Sequence, residues 1–338
     1  MLWNCMEKAV IVRMGGEIGV KSNRVRRWYE EKVISDIIKV LKRNNIQFFR
    51  VLKYPGRAYI FTEESERAAK LVARVFGVYS TSNCIVTSSE INEIIDVVLK
   101  IVSKKFNPGT FAVRCRRSGE HSYRSKDVEK LLGKAILENR SDLKVNLENP
   151  DQTIFIEIRN ERAYIYFESI RGPNGFPLDT QDPLISIIDE TMESVLASWC
   201  IMRRGVRIKA FIFDDPSENM NLKCLLNWIP DGIIDVYKSK IVYKSKSHKL
   251  LAAIKLAKIE KINGVVSGIR NIDAESIKKL SKFHVSVLFP LIALEDDMIK
   301  DWCRYLGLGE YIADEEFVKI EDVELDDLVY EIIRFQAP

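Results

Sequence analysis

Several absences bound this 338-residue chain before any motif is read. It has six cysteines, Cys5, Cys84, Cys115, Cys200, Cys224 and Cys303, but no C-x-x-C pair. That spacing excludes the usual zinc and disulfide frameworks, so idle or buried thiols are expected and no metal site. The three histidines, His121, His248 and His284, are equally scattered and lend no support to a Cys–His catalytic pair. No apolar run approaches the roughly 18 residues that cross a bilayer. Met1–Lys8 lacks a basic stretch followed by an apolar one, so no secretory signal and a cytoplasmic location are expected. Internal repeats and low-complexity tracts are also missing.

What is present is an ordinary globular composition, 46% apolar and 30% charged, in a chain long enough for two or three cores. The net charge of +4 conceals an asymmetry. Residues 1–180 carry 31 Lys+Arg against 22 Asp+Glu, and the remainder 21 against 26. A basic half joined to an acidic half points to a polyanion partner for the first half only.

The order of elements is legible from periodicity and punctuation. A strand at 8–14 ends at Gly15-Gly16, and Ser22-Asn23 opens a long amphipathic helix. Strands near 47–52 and 57–61, a helix over 65–75 and a strand near 84–86 complete a ferredoxin-like α+β unit. A second unit begins near Ser89, with helices over 91–104 and 125–138 and strands over 111–117, 143–147, 153–159 and 163–169. Gly172–Pro177 reads as a linker. Beyond it, strands at 184–188, 206–213, 264–269 and 285–292 alternate with helices at 194–204 and 296–306, which predicts a mainly parallel sheet. Residues 214–246 give no clear pattern, and the acidic stretch 314–331 reads as a solvated face.

Two basic clusters stand out. One, Lys21, Asn23, Arg24, Arg26 and Arg27, opens the long helix, where free N–H groups and the dipole suit phosphate. The other is Arg114, Arg116 and Arg117, running into His121, Tyr123 and Arg124, a mixture of cations and rings suited to RNA. Alternation along the strand sets Arg114 and Arg116 on one face and Arg117 on the other.

The stretch TFAVRCRRSGEHSYRSKDVEKLLGKAI, followed by VNLENPD, IEIRNERAYIYFES and GPNGFP, resembles a THUMP domain, an RNA-binding module of tRNA-modifying enzymes. The earlier VRMGGEIGVKSNRVRRWYEE resembles the ferredoxin-like N-terminal domain of tRNA sulfurtransferases, the thiouridine synthases related to thiamine biosynthesis. The resemblance implies that the two domains hold the tRNA acceptor end and present a uridine to a third, Rossmann-like PP-loop domain. It places Lys21, Asn23, Arg24, Arg114, Arg116, Arg117, His121, Tyr123 and Ser125 at or near the RNA.

The third domain departs from that family. Its PP-loop, Ser-Gly-Gly-x-Asp-Ser, wraps ATP phosphates with backbone N–H groups, and glycine permits the close approach. Here the aligned residues are Asp189, Glu190, Thr191, Met192, Glu193 and Ser194, of which only Ser194 matches. Like charges about 4 Å apart cost on the order of 1 kcal/mol in water and about 4 at an effective dielectric near 20. The family's G-E-S-L-G-Q is replaced by Gly268-Ile269-Arg270-Asn271-Ile272-Asp273, and 311–318 has no cysteine for sulfur transfer.

The expected organisation is a ferredoxin-like domain over 1–85, a THUMP domain over 86–176 and a degenerate PP-loop-like α/β domain over 177–338. The expected function is tRNA binding with no catalytic residue and no cofactor, alongside a modifying enzyme or a sulfur donor protein. One alternative is an active thiouridine synthase that uses ATP, magnesium and an external sulfur donor. The other is a protein-interaction scaffold.

Overall fold

The computed structural model describes residues 7–243, 245–309, 317–320 and 329–336. In chain order the first half gives β1 (Glu7–Met14), α1 (Gly16–Gly19), α2 (Asn23–Arg43), β2 (Arg50–Tyr54), β3 (Arg57–Phe61), α3 (Ser65–Val72) and β4 (Val78–Ser88). Then come α4 (Ile91–Lys105), β5 (Gly109–Ser118), α5 (Ser125–Asn139), β6 (Leu143–Val145), β7 (Gln152–Arg159), β8 (Arg162–Tyr166) and β9 (Ile170–Arg171). The second half gives β10 (Gln181–Ile187), α6 (Met192–Met202), β11 (Val206–Ile212), α7 (Met220–Leu226), β12 (Ile233–Ser239), α8 (Lys246–Ile259) and β13 (Gly264–Val266). It closes with β14 (Asn271–Ile272), α9 (Ala274–Ser281), β15 (Ser286–Leu288), α10 (Asp296–Leu306), β16 (Phe317–Val318) and β17 (Tyr330–Gln336).

Contacts gather these elements into two compact units. The first holds the described residues within Met1–Met14, Asn44–Ala73 and Val78–Gly172; the second holds those within Gly15–Arg43, Arg74–Gly77 and Pro173–Pro338. The long basic helix α2 thus belongs, by its contacts, with the C-terminal part of the chain, a grouping that sequence order does not suggest.

The first unit is built on one nine-stranded sheet, ordered β2-β3-β1-β4-β8-β7-β5-β6, with β9 also on β4. The sequence assigns the ferredoxin-like and THUMP parts to two domains; their strands share one hydrogen-bonded sheet, because β4 runs on past the expected strand and pairs Ile85–Ser88 with β8 while still pairing β1. One face is covered by helices: Ile154, Ile156 and Ile158 of β7 pack with Val98 and Leu132 of α4 and α5. The other face has a cluster made of strand residues alone, including Ile11, Tyr59, Phe61, Tyr164 and Tyr166.

The second unit carries the parallel sheet, ordered β15-β13-β10-β11-β12-β17, all parallel except β17, which runs antiparallel to β12. Its strands are buried runs such as Ile185–Ile187, as expected for a sheet covered on both faces. The unreadable stretch 214–246 contains α7 and β12 and leads into α8. Of the acidic stretch, 314–316 and 321–328 lie outside the described residues, whereas Tyr330–Gln336 is the antiparallel edge strand. The segment read as a linker is tightly packed: Phe176 and Leu178 are buried. At Gly175 (φ +75°) a Cβ would meet the Arg203 carbonyl at 2.0 Å, so a side chain is excluded there.

Helix α2 is anchored within this unit by its C-terminal end and one face. The Arg43 guanidinium donates to the carbonyls of Leu226 and Ile229, each at 3.1 Å. Tyr29 packs on Phe176 with ring centroids 5.0 Å apart, and Lys32 reaches Asp179 at 3.1 Å. Asp36 on the same helix is buried, and burial pushes its carboxyl up to about 6 against the opposing pull of Lys32 and Lys39.

Candidate functional site

The residues that align with the PP-loop span the turn after β10 and the first turn of α6, at the carboxyl end of a parallel strand, where ligand sites of such sheets form. The strand–turn–helix frame is intact, but the turn is closed by its own side chains. Asp189 Oδ1 accepts from the Thr191 N–H at 3.1 Å and from its hydroxyl at 2.6 Å. Thr191 caps α6, its Oγ1 accepting from the Ser194 N–H at 3.3 Å. The Ser194 hydroxyl turns back to the Thr191 carbonyl at 2.8 Å, and the Asn221 amide donates to the Asp189 and Thr191 carbonyls at 2.6 and 3.1 Å. Glu193 is buried.

The turn also has a cation that sequence reasoning missed. Lys249, buried on α8, places its ammonium 3.0 and 2.9 Å from the Glu190 carboxylate and 3.5 Å from Asp189 Oδ2. It lies 5.3 Å from the centroid of the Phe213 ring, an added cation–π contact. Burial raises the Glu190 pKa, but a backbone hydrogen bond and Lys249 outweigh it and hold the group below the usual carboxylate range. The acids at 189 and 190 therefore share one cation. The available sequence signal was the acid-free run Lys238–Lys249, five lysines and a histidine within an acidic half.

Where the family motif changes at Gly268, a small residue remains necessary. A Cβ there would meet Glu193 C at 2.6 Å and Ser194 N at 2.7 Å, so the first turn of α6 presses on this backbone. Thiol chemistry finds no activated group among the described residues. Burial pushes Cys115, Cys200 and Cys303 up to about 11, and raises Cys84 and Cys224 as well.

The residues expected at RNA divide between the two units. Lys21, Asn23 and Arg24 fall in the second, at the start of α2: the Lys21 ammonium lies 5.3 Å from the Phe176 ring centroid, Asn23 Oδ1 accepts from Arg26 at 3.1 Å, and Arg24 is exposed. The others fall in the first. Arg114 and Arg116 project from one face of β5 and are exposed, while Cys115 between them is buried, as alternation required. Arg114 also donates to the Leu147 carbonyl.

Arg117, on the opposite face, donates to the Gly119 carbonyl at 2.8 Å and to His121 Nδ1 at 3.0 Å. His121 Nε2 pairs with the Asn160 carbonyl at 2.6 Å, so the ring bridges Arg117 and the hairpin at Asn160. Tyr123 donates to the Ser89 carbonyl, Arg124 opens α5 by donating its N–H to Asp127 at 2.8 Å, and Ser125 hydrogen-bonds the Cys115 thiol. Arg117, His121 and Tyr123 thus shape the loop, leaving Arg114, Arg116 and Arg124 exposed.

Comparison with known proteins identifies both parts of the first half. Residues 9–82 match the ThiI ferredoxin-like domain and residues 88–168 the THUMP domain. A probable tRNA sulfurtransferase of Methanosarcina mazei is 37% identical over 207 residues, 60% of this chain and 51% of the relative. One of Saccharolobus solfataricus is 34% identical over 197 residues, 58% of this chain and 51% of the relative. The chain spans about half the length of these relatives. Among solved structures, PH1313 from Pyrococcus horikoshii superimposes with a TM-score of 0.70 at 28% identity, covering 89% of this chain and 99% of that one. A 4-thiouridine synthetase, solved with RNA and ATP, gives 0.73 at 21% identity over 89% and 85%, a likeness of fold. The chain carries a ThiI ferredoxin-like domain and a THUMP domain, followed by a mainly parallel α/β region, and resembles the tRNA sulfurtransferases.

Proposed function

We propose that this chain is a cytoplasmic tRNA-binding protein of the sulfurtransferase type that does not carry out ATP-dependent chemistry. The RNA-binding half of the reading is supported by the THUMP domain, by the exposed Arg114 and Arg116, and by the tRNA-directed names of the relatives.

One observation carries the other half: Asp189 supplies an anion to its own turn. Its carboxylate takes the Thr191 N–H, and with Glu190 it takes the Lys249 ammonium. A polyphosphate would have to displace a covalently tethered competitor and then lie against the remaining acids, without glycines to let it approach. A phosphate-binding turn works by offering unoccupied N–H groups. The protein would present or protect tRNA, alongside a modifying enzyme or a sulfur donor protein.

Calorimetric titration with ATP, with and without magnesium and tRNA, tests this directly. No heat of ATP binding is expected in any combination, whereas micromolar binding would establish the rival reading, an active thiouridine synthase. That rival draws on the preserved strand–turn–helix frame and on Ser194. A gel shift with tRNA at several salt concentrations tests the RNA half, because phosphate contacts make affinity fall steeply with salt.

A further inference from the structure

The face of the nine-stranded sheet that carries no helix has a charge pattern that the loop residues do not account for. Strand register places Arg13, Arg57, Arg114, Arg116, Arg159 and Arg162 on it, together with Arg50, which Glu7 neutralises at 2.8 Å. Among the described residues a single buried carboxylate on this face, Glu157, lies among the other six and pairs with three of them. Arg57 binds it through Nη1 at 2.7 and 2.9 Å, Arg159 at 3.0 Å, and Arg13 approaches at 3.7 Å. The Tyr59 hydroxyl donates to it at 2.6 Å. Arg116 is its direct cross-strand neighbour on β5.

These contacts also define the shape of the face. In the sheet β3 and β7 are four strand steps apart, about 19 Å if the sheet were flat. Yet Arg57 and Tyr59 of β3 touch Glu157 of β7, and the Tyr59 and Tyr164 rings stack with centroids 4.2 Å apart. The sheet therefore curls toward this face. Guanidinium groups lie over rings there, Arg13 with its Cζ 4.9 Å from the Tyr166 centroid and Arg162 5.4 Å from that of Phe61, cation–π contacts that restrict where they point.

We propose that this curled, arginine-lined face is a binding surface for the phosphodiester backbone of RNA, with Glu157 as a positioning residue that fixes Arg57 and Arg159. The inference rests on the RNA-binding reading above and extends it from the β5 arginines across the strands of both domains. Charge complementarity selects the occupant: a cluster of fork-shaped cations with one internal counter-ion suits an oxyanion chain.

The test uses the full chain and a fluorescein-labelled tRNA transcript, with anisotropy read across a salt series. Arg13→Gln and Arg159→Gln each leave Glu157 with other partners. Each is expected to weaken binding several-fold and to lower the slope of log affinity against log salt by about 0.7–0.9, the loss of one phosphate contact. Arg67→Gln, on helix α3, should change neither. As a check that needs no variant, bound tRNA should protect Arg13, Arg159 and Arg162 of the wild-type chain from phenylglyoxal, and leave Arg67 reactive. If both face variants match Arg67→Gln while Arg116→Glu still weakens binding, the face is not the RNA surface, though the RNA reading stands. Absence of salt-dependent tRNA binding by the wild type removes that reading, and this inference with it.

Discussion

The helix-free sheet face and the turn at 189–194 are both places where an anion could sit, and they resolve the charge in opposite ways. On the sheet, six arginines surround one buried carboxylate that pairs with three of them, so positive charge is left over. At the turn, one buried lysine faces Asp189 and Glu190, and the backbone donor at Thr191 is already taken. Under the proposed function, a site is defined by uncompensated donors and not by the density of charge. A region can be rich in ions and offer a ligand nothing.

Removing the lysine should break the comparison most severely. Lys249→Ala deprives Asp189, whose side chain is only 8% exposed, of the ammonium that pairs with it, and a charge stranded in this way costs about 3 kcal/mol or more. Urea denaturation should show that loss, and an unchanged midpoint would mean the turn is not held by this pair. Next in size, Arg114→Glu together with Arg116→Glu should weaken tRNA binding on the order of a hundredfold near physiological salt, with a shallower salt slope. A change under twofold would remove the β5 face from the RNA interface.

The smallest effect sharpens the contrast at a buried acid that lacks full compensation. Because the Asp36 carboxyl titrates near 6 when folded, above its ordinary value of 3.8, its ionisation opposes folding. Its share of stability is intact below pH 4 and is lost as pH rises through 6. Asp36→Asn should therefore stabilise the protein by about 1–2 kcal/mol above pH 6, with the gain shrinking toward pH 4. Thermal melts of both proteins across that range would show it, and a gain independent of pH would assign the effect to something other than ionisation.

Much of the fold was legible because period and punctuation are local. The helix over 296–306, the alternation of Arg114, Cys115 and Arg116, and the parallel pattern after Pro177 all stand in the structure. What escaped is non-local. Helix α8 was missed because its apolar residues, Leu250 to Leu256, are buried on several sides and leave no amphipathic stripe. The ammonium of Lys249 at the turn could not be inferred, since 59 residues separate it from Glu190. Nor could the role of Glu157, an ordinary glutamate within IEIRNERAYIYFES, whose partners Arg57 and Tyr59 lie about a hundred residues earlier.

By itself the sequence determined most element types outside 214–281, the THUMP and ferredoxin-like identity of the first half, and the loss of both glycines at 190 and 191. These follow from short-range chemistry: side-chain period, turn residues and the space that only glycine leaves. Tertiary structure alone decided which charges remain unmatched, because compensation depends on distances of a few ångströms between residues far apart in the chain. That is why Asp189 is answered by Lys249, and why the arginines around Glu157 are left in excess.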